Sequence, residues 1–324
     1  MTREQLERRQ VWLYLAAIAI GLGVGALAPG LAPGFEAALW PALMCLLYAT
    51  FVQVPLWHLR AAFADRRFVA AVLLGNFLVL PLAVWALLGV LPENPAVRLG
   101  VLLVLLVPCT DWFITFSQLG GGDVPRALAV TPANLLLQLL LLPFYLWLML
   151  DGAPAVVLTP AEAWPALLVV LLPLLCAALS ERWIEARRER AVLRARLAGW
   201  PVPLLAWVVF LIAAAQARQA REALALLPVL VPVFVAFLLL AALLAKVLAR
   251  GFGLPVAQGR TLAFSFGTRN SFVVLPFALG LPAGWEMAAL VVVVQSLVEL
   301  LGMMAYLWWL PRWRFADPCE GDAS

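Results

Sequence analysis

Three ionisable residues, Asp111, Arg269 and Glu299, stand inside apolar stretches of this chain. A charge at the centre of a membrane helix costs roughly 2.5 to 3.5 kcal/mol on insertion scales, so such residues face a protein interior and usually carry a task. Their spacing points to ion-pair and proton chemistry: one acid pairs with Arg269, and the other, desolvated, exchanges a proton. The plainer reading is a static buried pair plus an acid that reaches a water-filled rim. Cys109 and Thr110 adjoin Asp111, and Asn270 and Ser271 adjoin Arg269. Cys109 is a candidate soft ligand. Asn76, Asn134, Gln138, Asn270 and Gln295 place amides in apolar surroundings, where they can bind a small polar solute or bond between helices at about 0.6 to 2 kcal/mol each.

Two interruptions must hold these residues in place. The apolar run Val101–Val107 meets Pro108 and then Cys109-Thr110-Asp111. Proline lacks an N–H and clashes with the carbonyl four residues back, so it breaks a helix there. Gly267-Thr268-Arg269-Asn270-Ser271, with Pro276 beyond, interrupts a second apolar run. Irregular backbone at membrane depth is tolerated where it is buried in protein or lines a cavity, and paired breaks point to a midplane solute site.

Composition makes the surrounding medium lipid. The chain has 324 residues, 65% hydrophobic and 12% charged, with a mean hydropathy of +1.00, which is too apolar for a soluble protein of this size. Ten apolar segments are expected to cross, near 11–28, 37–54, 68–90, 99–119, 126–150, 164–180, 201–217, 226–248, 258–280 and 286–310. With the amino terminus inside, 18 of the Lys and Arg residues fall in inner segments and three, Arg98, Arg218 and Arg221, in outer loops. That asymmetry fits a multi-pass protein of the plasma (inner) membrane with both termini cytoplasmic. It also makes the arginine-rich stretch 181–196 a middle cytoplasmic loop rather than a nucleic-acid site.

An odd number of spans per half inserts the second half upside down, which predicts two inverted five-helix repeats. Residues 1–150 form the first repeat, 151–199 lead into the second with its sixth helix and basic loop, 200–311 complete it, and 312–324 are a cytoplasmic tail. Asn134, Gln138 and Tyr145-Leu146-Trp147 match Gln295, Glu299 and Tyr306-Leu307-Trp308 at a common offset of 161. Residues four apart share a helix face, so each closing helix turns a polar pair to one side.

Other classes find less support. His58 is the sole histidine and the four cysteines are scattered, so neither a metal motif nor a disulfide framework is expected. Arg3, Arg8 and Arg9 before an apolar run ending in Ala26-Leu27-Ala28 resemble a signal peptide, but Glu4 and Glu7, and the repeat itself, argue for a retained first helix. Gly120-Gly121-Gly122-Asp123 resembles the aspartate motif of intramembrane aspartyl proteases. Those enzymes need a second aspartate on a neighbouring helix, and no span offers a Tyr-Asp partner. Arg126 with Asp123 marks a cytoplasmic edge.

Taken together, Cys109, Leu119, Gly122-Asp123, Asn134, Gln138 and Tyr145, with Asn76 and Leu297-Val298-Glu299, resemble the bile acid/sodium symporter superfamily and, within it, the arsenite exporters of the arsenical-resistance type. The resemblance runs over residues 40–310. It implies an all-α polytopic protein of ten transmembrane helices with broken, crossing helices 4 and 9, a panel domain and a core domain. Sodium-coupled members carry a glutamate and then Gln-Asn-Ser across the second break, where this chain has Ser265 and Arg269 beside Asn270 and Ser271. A fixed guanidinium repels a cation placed there, so protons rather than sodium are the expected coupling ion. Phe272 and Val273 stand where the arsenite exporters use a glutamate.

The resulting expectation is a secondary carrier, not an enzyme, that exports arsenite or a related metalloid, with Cys109 as its arsenic ligand. Cys109, Thr110, Asp111, Asn134, Gln138, Arg269, Asn270, Ser271, Gln295 and Glu299 are the expected binding and coupling residues. The alternative is a carrier of a small organic anion clamped by Arg269. Expected partners are the lipid bilayer and a small inorganic or organic solute, with a homodimer allowed and no cofactor or nucleic acid.

Overall fold

The computed structural model describes residues 3–54, 65–110, 112–150, 160–187, 190–217 and 219–311. Asp111, His58 and the tail 312–324 lie outside them. Every regular element among the described residues is helical: α1 Arg3–Leu27, α2 Ala32–Phe51, α3 Arg66–Val90, α4 Pro95–Leu105, α5 Trp112–Leu119, α6 Val124–Met149, α7 Pro160–Glu185, α8 Ala191–Leu197, α9 Pro201–Ala215, α10 Gln219–Gly251, α11 Val256–Gly267, α12 Ser271–Leu279 and α13 Met287–Trp309. Six helical stretches are long and apolar enough to cross a membrane: Pro29–Phe51, α3, α6, Leu167–Glu185, Ala225–Gly251 and α13. Each apolar segment expected from the sequence is helical, and the fourth and ninth are split. Large apolar side chains such as Leu140, Trp147 and Trp308 are more than half exposed, a surface suited to lipid rather than water.

Two details differ from the sequence expectation. The basic stretch after residue 180 is not simply a loop, because α7 continues to Glu185 and α8 follows. Glu and Arg are good helix formers, and Arg190 stacks on Trp183 at 3.8 Å while donating to its carbonyl at 2.8 Å. Within α3, Gly75–Val79 forms a π-helical turn. Such turns loosen the backbone ladder and recur at functional sites.

The chain divides into two compact units that each draw on both halves of the sequence. The first comprises Met1–Gln53, Ala155–Pro228 and Phe272–Val293; the second comprises Val54–Pro154, Val229–Ser271 and Val294–Ser324. In the first unit α9 packs against α1 and α2, and α7 packs against α2. Gly21 and Gly25 let α1 approach α9 so closely that an added Cβ would lie 2.5 Å from the Phe210 carbonyl and 2.2 Å from that of Ala214. Tyr48 and Ser180 share a hydrogen bond of 2.9 Å.

The second unit holds both broken helices. α4 and α5 are the halves of one, and α11 and the start of α12 belong to the other. At one end of the unit, Gly120–Asp123 turns α5 into α6. Gly121 has φ 69°, a conformation that glycine adopts without strain, and a Cβ on Gly122 would meet Thr261 Oγ1 at 2.6 Å. Asp123 caps α6 by accepting from the Arg126 N–H at 3.2 Å.

Candidate functional site

The first break follows from Pro108. α4 ends at Leu105, and the residue before a proline is driven toward extended backbone. At the second break Thr268 is extended, with φ −98° and ψ 137°, and its hydroxyl donates back to the Phe264 carbonyl at 2.8 Å. The two extended segments lie against each other as a short antiparallel bridge centred on Pro108 and Arg269. The Cys109 N–H donates to Thr268 O at 3.2 Å and the Asn270 N–H to Val107 O at 2.8 Å. Backbone groups that left their own helices thus satisfy one another, as buried peptides must.

Arg269 organises what surrounds the bridge. It is 2% exposed, and among the described residues its guanidinium donates to neutral oxygens. Nη1 donates to Leu105 O at 3.2 Å, and Nη2 to Asn76 Oδ1 at 3.1 Å, Ser265 O at 3.2 Å and Phe266 O at 2.6 Å. Those carbonyls belong to the last turns of α4 and α11, the negative poles of two half-helices. The ring of Phe237 lies 5.3 Å from its Cζ, within cation–π range.

Glu299 meets the backbone of Arg269 rather than its guanidinium. Its Oε2 accepts the backbone N–H of Arg269 at 2.8 Å and the amide of Gln295 at 2.7 Å, while Ser271 donates to Gln295 Oε1 at 3.1 Å. Asn270 donates to Thr110 Oγ1 at 3.1 Å across the bridge. Glu299 Oε1 has no hydrogen-bond partner, although the residue is 1% exposed.

Asn134 and Gln138 are buried at 0% and 1% exposure, and none of their side-chain nitrogen or oxygen atoms has a partner. Asn134 is ten residues into α6, about 15 Å along it at 1.5 Å per residue. The eight residues of α5 span about 12 Å, and α5 packs against α6 after a four-residue turn. Asn134 is therefore level with the first break. Cys109, at that break, is 3% exposed.

The structure brings together Cys109, Thr110, Arg269, Asn270, Ser271, Gln295 and Glu299 through hydrogen bonds and neighbouring backbone; Asn134 and Gln138, one turn apart on α6, are buried in the same unit but make no hydrogen bond to them. One contributor, Asn76, carries more here than its reading as a helix–helix amide implied. Asn76 sits on the π-helical turn and donates to Ser265 Oγ at 3.0 Å while accepting from Arg269. The adjacent Gly75 was the available signal, since a Cβ there would fall 1.7 Å from Phe266 Cζ. Away from this site, Arg126 bridges two aspartates at 2.6 Å each, Asp123 and Asp65. One guanidinium thus ties the turn before α6 to the N-terminal cap of α3.

One further pattern concerns spacing. Tyr145 donates its hydroxyl to Phe77 O, and Tyr306 donates its own to Leu238 O. Donors and acceptors alike are 161 residues apart.

The model of the Sodium Bile acid symporter family matches residues 40–223, over half of the chain. The chain belongs to the sodium bile acid symporter family. It is accordingly a multi-pass membrane transporter, and its lipid-facing helices and buried polar centre fit that class. The matched region contains Cys109, Asn134 and Gln138 and stops before the second break, so Arg269 and Glu299 are features outside the matched residues. Comparison with individually curated proteins gives no match.

Proposed function

We propose that the protein is a secondary carrier that exports a small uncharged hydroxylated solute, arsenite in its trihydroxide form first among them, in exchange for protons across the inner membrane. The observation that carries this reading is the pair Asn134 and Gln138. Two buried amides with both donors and acceptors unused match a neutral ligand that offers hydroxyls of both kinds, and a buried polar group without a partner is otherwise a cost. Cys109 adds a soft thiol at the same level. Glu299 is the proton carrier in this reading, with Oε1 the oxygen that receives it.

Ten spans in two inverted five-helix repeats, 1–150 and 151–311, are part of the proposal, and the offset of 161 supports them. It relates Pro108 to Arg269 and exchanges the two bridge hydrogen bonds, Cys109 to Thr268 and Asn270 to Val107. It also relates the two tyrosine contacts, and the Leu105 and Phe266 carbonyls that Arg269 caps. The relation fails around Asn134 and Gln138: Ser271 donates to Gln295, but the counterpart Thr110 does not bond Asn134. Glu299 receives the Arg269 N–H, but its counterpart Gln138 stands opposite Pro108, which has no N–H to give. The missing N–H leaves Gln138 unpaired, and Asn134 is unpaired because Thr110 bonds Asn270 across the bridge instead. The organic-anion alternative has weaker support, because both Nη atoms are already directed at internal oxygens and only Nε is without a partner.

The test is arsenite accumulation in everted membrane vesicles under an imposed pH gradient. Accumulation is expected in the parent, lost in Cys109→Ala and uncoupled from the gradient in Glu299→Gln. Absence of accumulation at normal expression, with uptake of carboxylates instead, sinks the metalloid reading. Asp111, outside the described residues, enters as Asp111→Asn, with reduced transport expected from its place beside Cys109 in sequence.

A further inference from the structure

We propose that the Arg269 guanidinium is a built-in cation that fills an oxygen-lined position where a mobile monovalent cation would otherwise bind, so that this member of a sodium symporter family works without sodium. Four oxygens converge on the guanidinium: Leu105 O, Asn76 Oδ1, Ser265 O and Phe266 O. They are hard neutral ligands of the kind that hold small metal cations. Three of them lie at the negative ends of the half-helices α4 and α11, and the Phe237 face lies 5.3 Å away. Each feature favours positive charge, and the side chain that supplies it is 2% exposed.

A sodium ion does not fit beside this group. The oxygens are already accepting, and like-charge repulsion at about 4 Å lowers cation affinity on the order of a thousandfold even in a well-screened interior. The tether also fixes the charge. A mobile ion binds and leaves with the transport cycle, whereas Arg269 closes the ends of both half-helices permanently and leaves Glu299 as the exchangeable charge of the centre. The inference rests on the family's transport role and is independent of which solute is carried.

The test is thermal unfolding of the purified full chain in detergent, followed by tryptophan fluorescence in sodium, potassium and choline chloride at equal ionic strength. The parent is expected to melt at one temperature in all three. Arg269→Ala is expected to melt lower in choline and to recover by about 2 to 4 °C in sodium, or with dilute guanidinium ion as a free surrogate. Arg269→Lys keeps a tethered cation and is expected to stay insensitive to sodium. A sodium-dependent rise in the parent overturns the proposal, as does a folded Arg269→Ala whose melting ignores every cation. Should the alanine variant not fold, Arg269→Gln carries the same comparison. Because no solute is present, failure here is distinguishable from failure of the arsenite assay.

Discussion

The two compact units are assembled from similarly apolar helices but bury different things. Among the described residues, nineteen polar or charged side chains are buried; Thr50, Glu181 and Gln216 belong to the first unit and the other sixteen to the second. The first unit gains its cohesion from close approach, with the glycines of α1 set against the backbone of α9. In membranes, where lipid is as apolar as leucine, such close contact is a main source of helix association. The second unit accepts the cost of buried polar groups and answers most of it with hydrogen bonds around the bridge. The lesson is that broken helices persist where their ends are capped by fixed groups, here Arg269 and the paired backbones of the bridge.

The largest effect expected from this contrast is at Arg269. Arg269→Leu strips the cap from two half-helices and leaves their buried end carbonyls and Asn76 Oδ1 without a donor, costing about 3 to 5 kcal/mol of stability. Unfolding in detergent reads it, and a loss under about 1 kcal/mol would show that the second unit does not depend on its buried cation.

Next come the glycines of the first unit. Gly25→Ala forces a Cβ to 2.2 Å from the Ala214 carbonyl and is expected to cost about 1 to 3 kcal/mol. Gly23 has nothing within 4 Å, so Gly23→Ala should be neutral or stabilising by up to about 1 kcal/mol. Equal effects at the two positions would break the claim that close approach holds this unit.

Smaller in stability, though decisive for function, is the double change Asn134→Leu with Gln138→Leu. The amides have no partners to lose, so stability should move by less than about 1 kcal/mol while arsenite accumulation disappears. A large destabilisation would instead make them structural.

The smallest effect lies at the edge of the second unit. Burial alone would raise the Asp65 carboxyl, but the Phe68 N–H, Arg126 and Gln258 that donate to it outweigh burial and hold it below its ordinary 3.8. A depressed carboxylate contributes stability that is complete above the unfolded value and is lost as pH falls through the folded one. Asp65→Asn should therefore cost less than about 1 kcal/mol at neutral pH and flatten the acid limb of the stability profile below about pH 4. An unchanged acid limb would mean that Asp65 is not part of it.

Much of this was legible in the order of residues. Pro108 and Gly267 announce breaks because one lacks a donor and the other lacks a side chain to pack. The offset of 161 is visible in Asn134, Gln138 and Tyr145 against Gln295, Glu299 and Tyr306, and it proved to relate contacts as well as letters. The partner of Arg269 was not legible. Either Asp111 or Glu299 was expected to pair with it, and Asp111 lies outside the described residues; among those described, the acceptors are mainly backbone carbonyls, which every residue possesses and no sequence distinguishes. Asn76 read as an ordinary helix–helix amide for the same reason, since its importance depends on a π-helical turn and on a neighbour 193 positions away.

The sequence by itself determined the medium, the helices, the positions of both breaks and the presence of charge at membrane depth, because hydropathy, proline chemistry and burial costs act locally. Tertiary structure alone decided that the two breaks pair through their backbones, that a cation closes two half-helices at once, and that Glu299 binds a peptide N–H while Asn134 and Gln138 bind none. These outcomes depend on which peptide groups meet in space, and peptide groups are the part of the chain that is the same at nearly every residue.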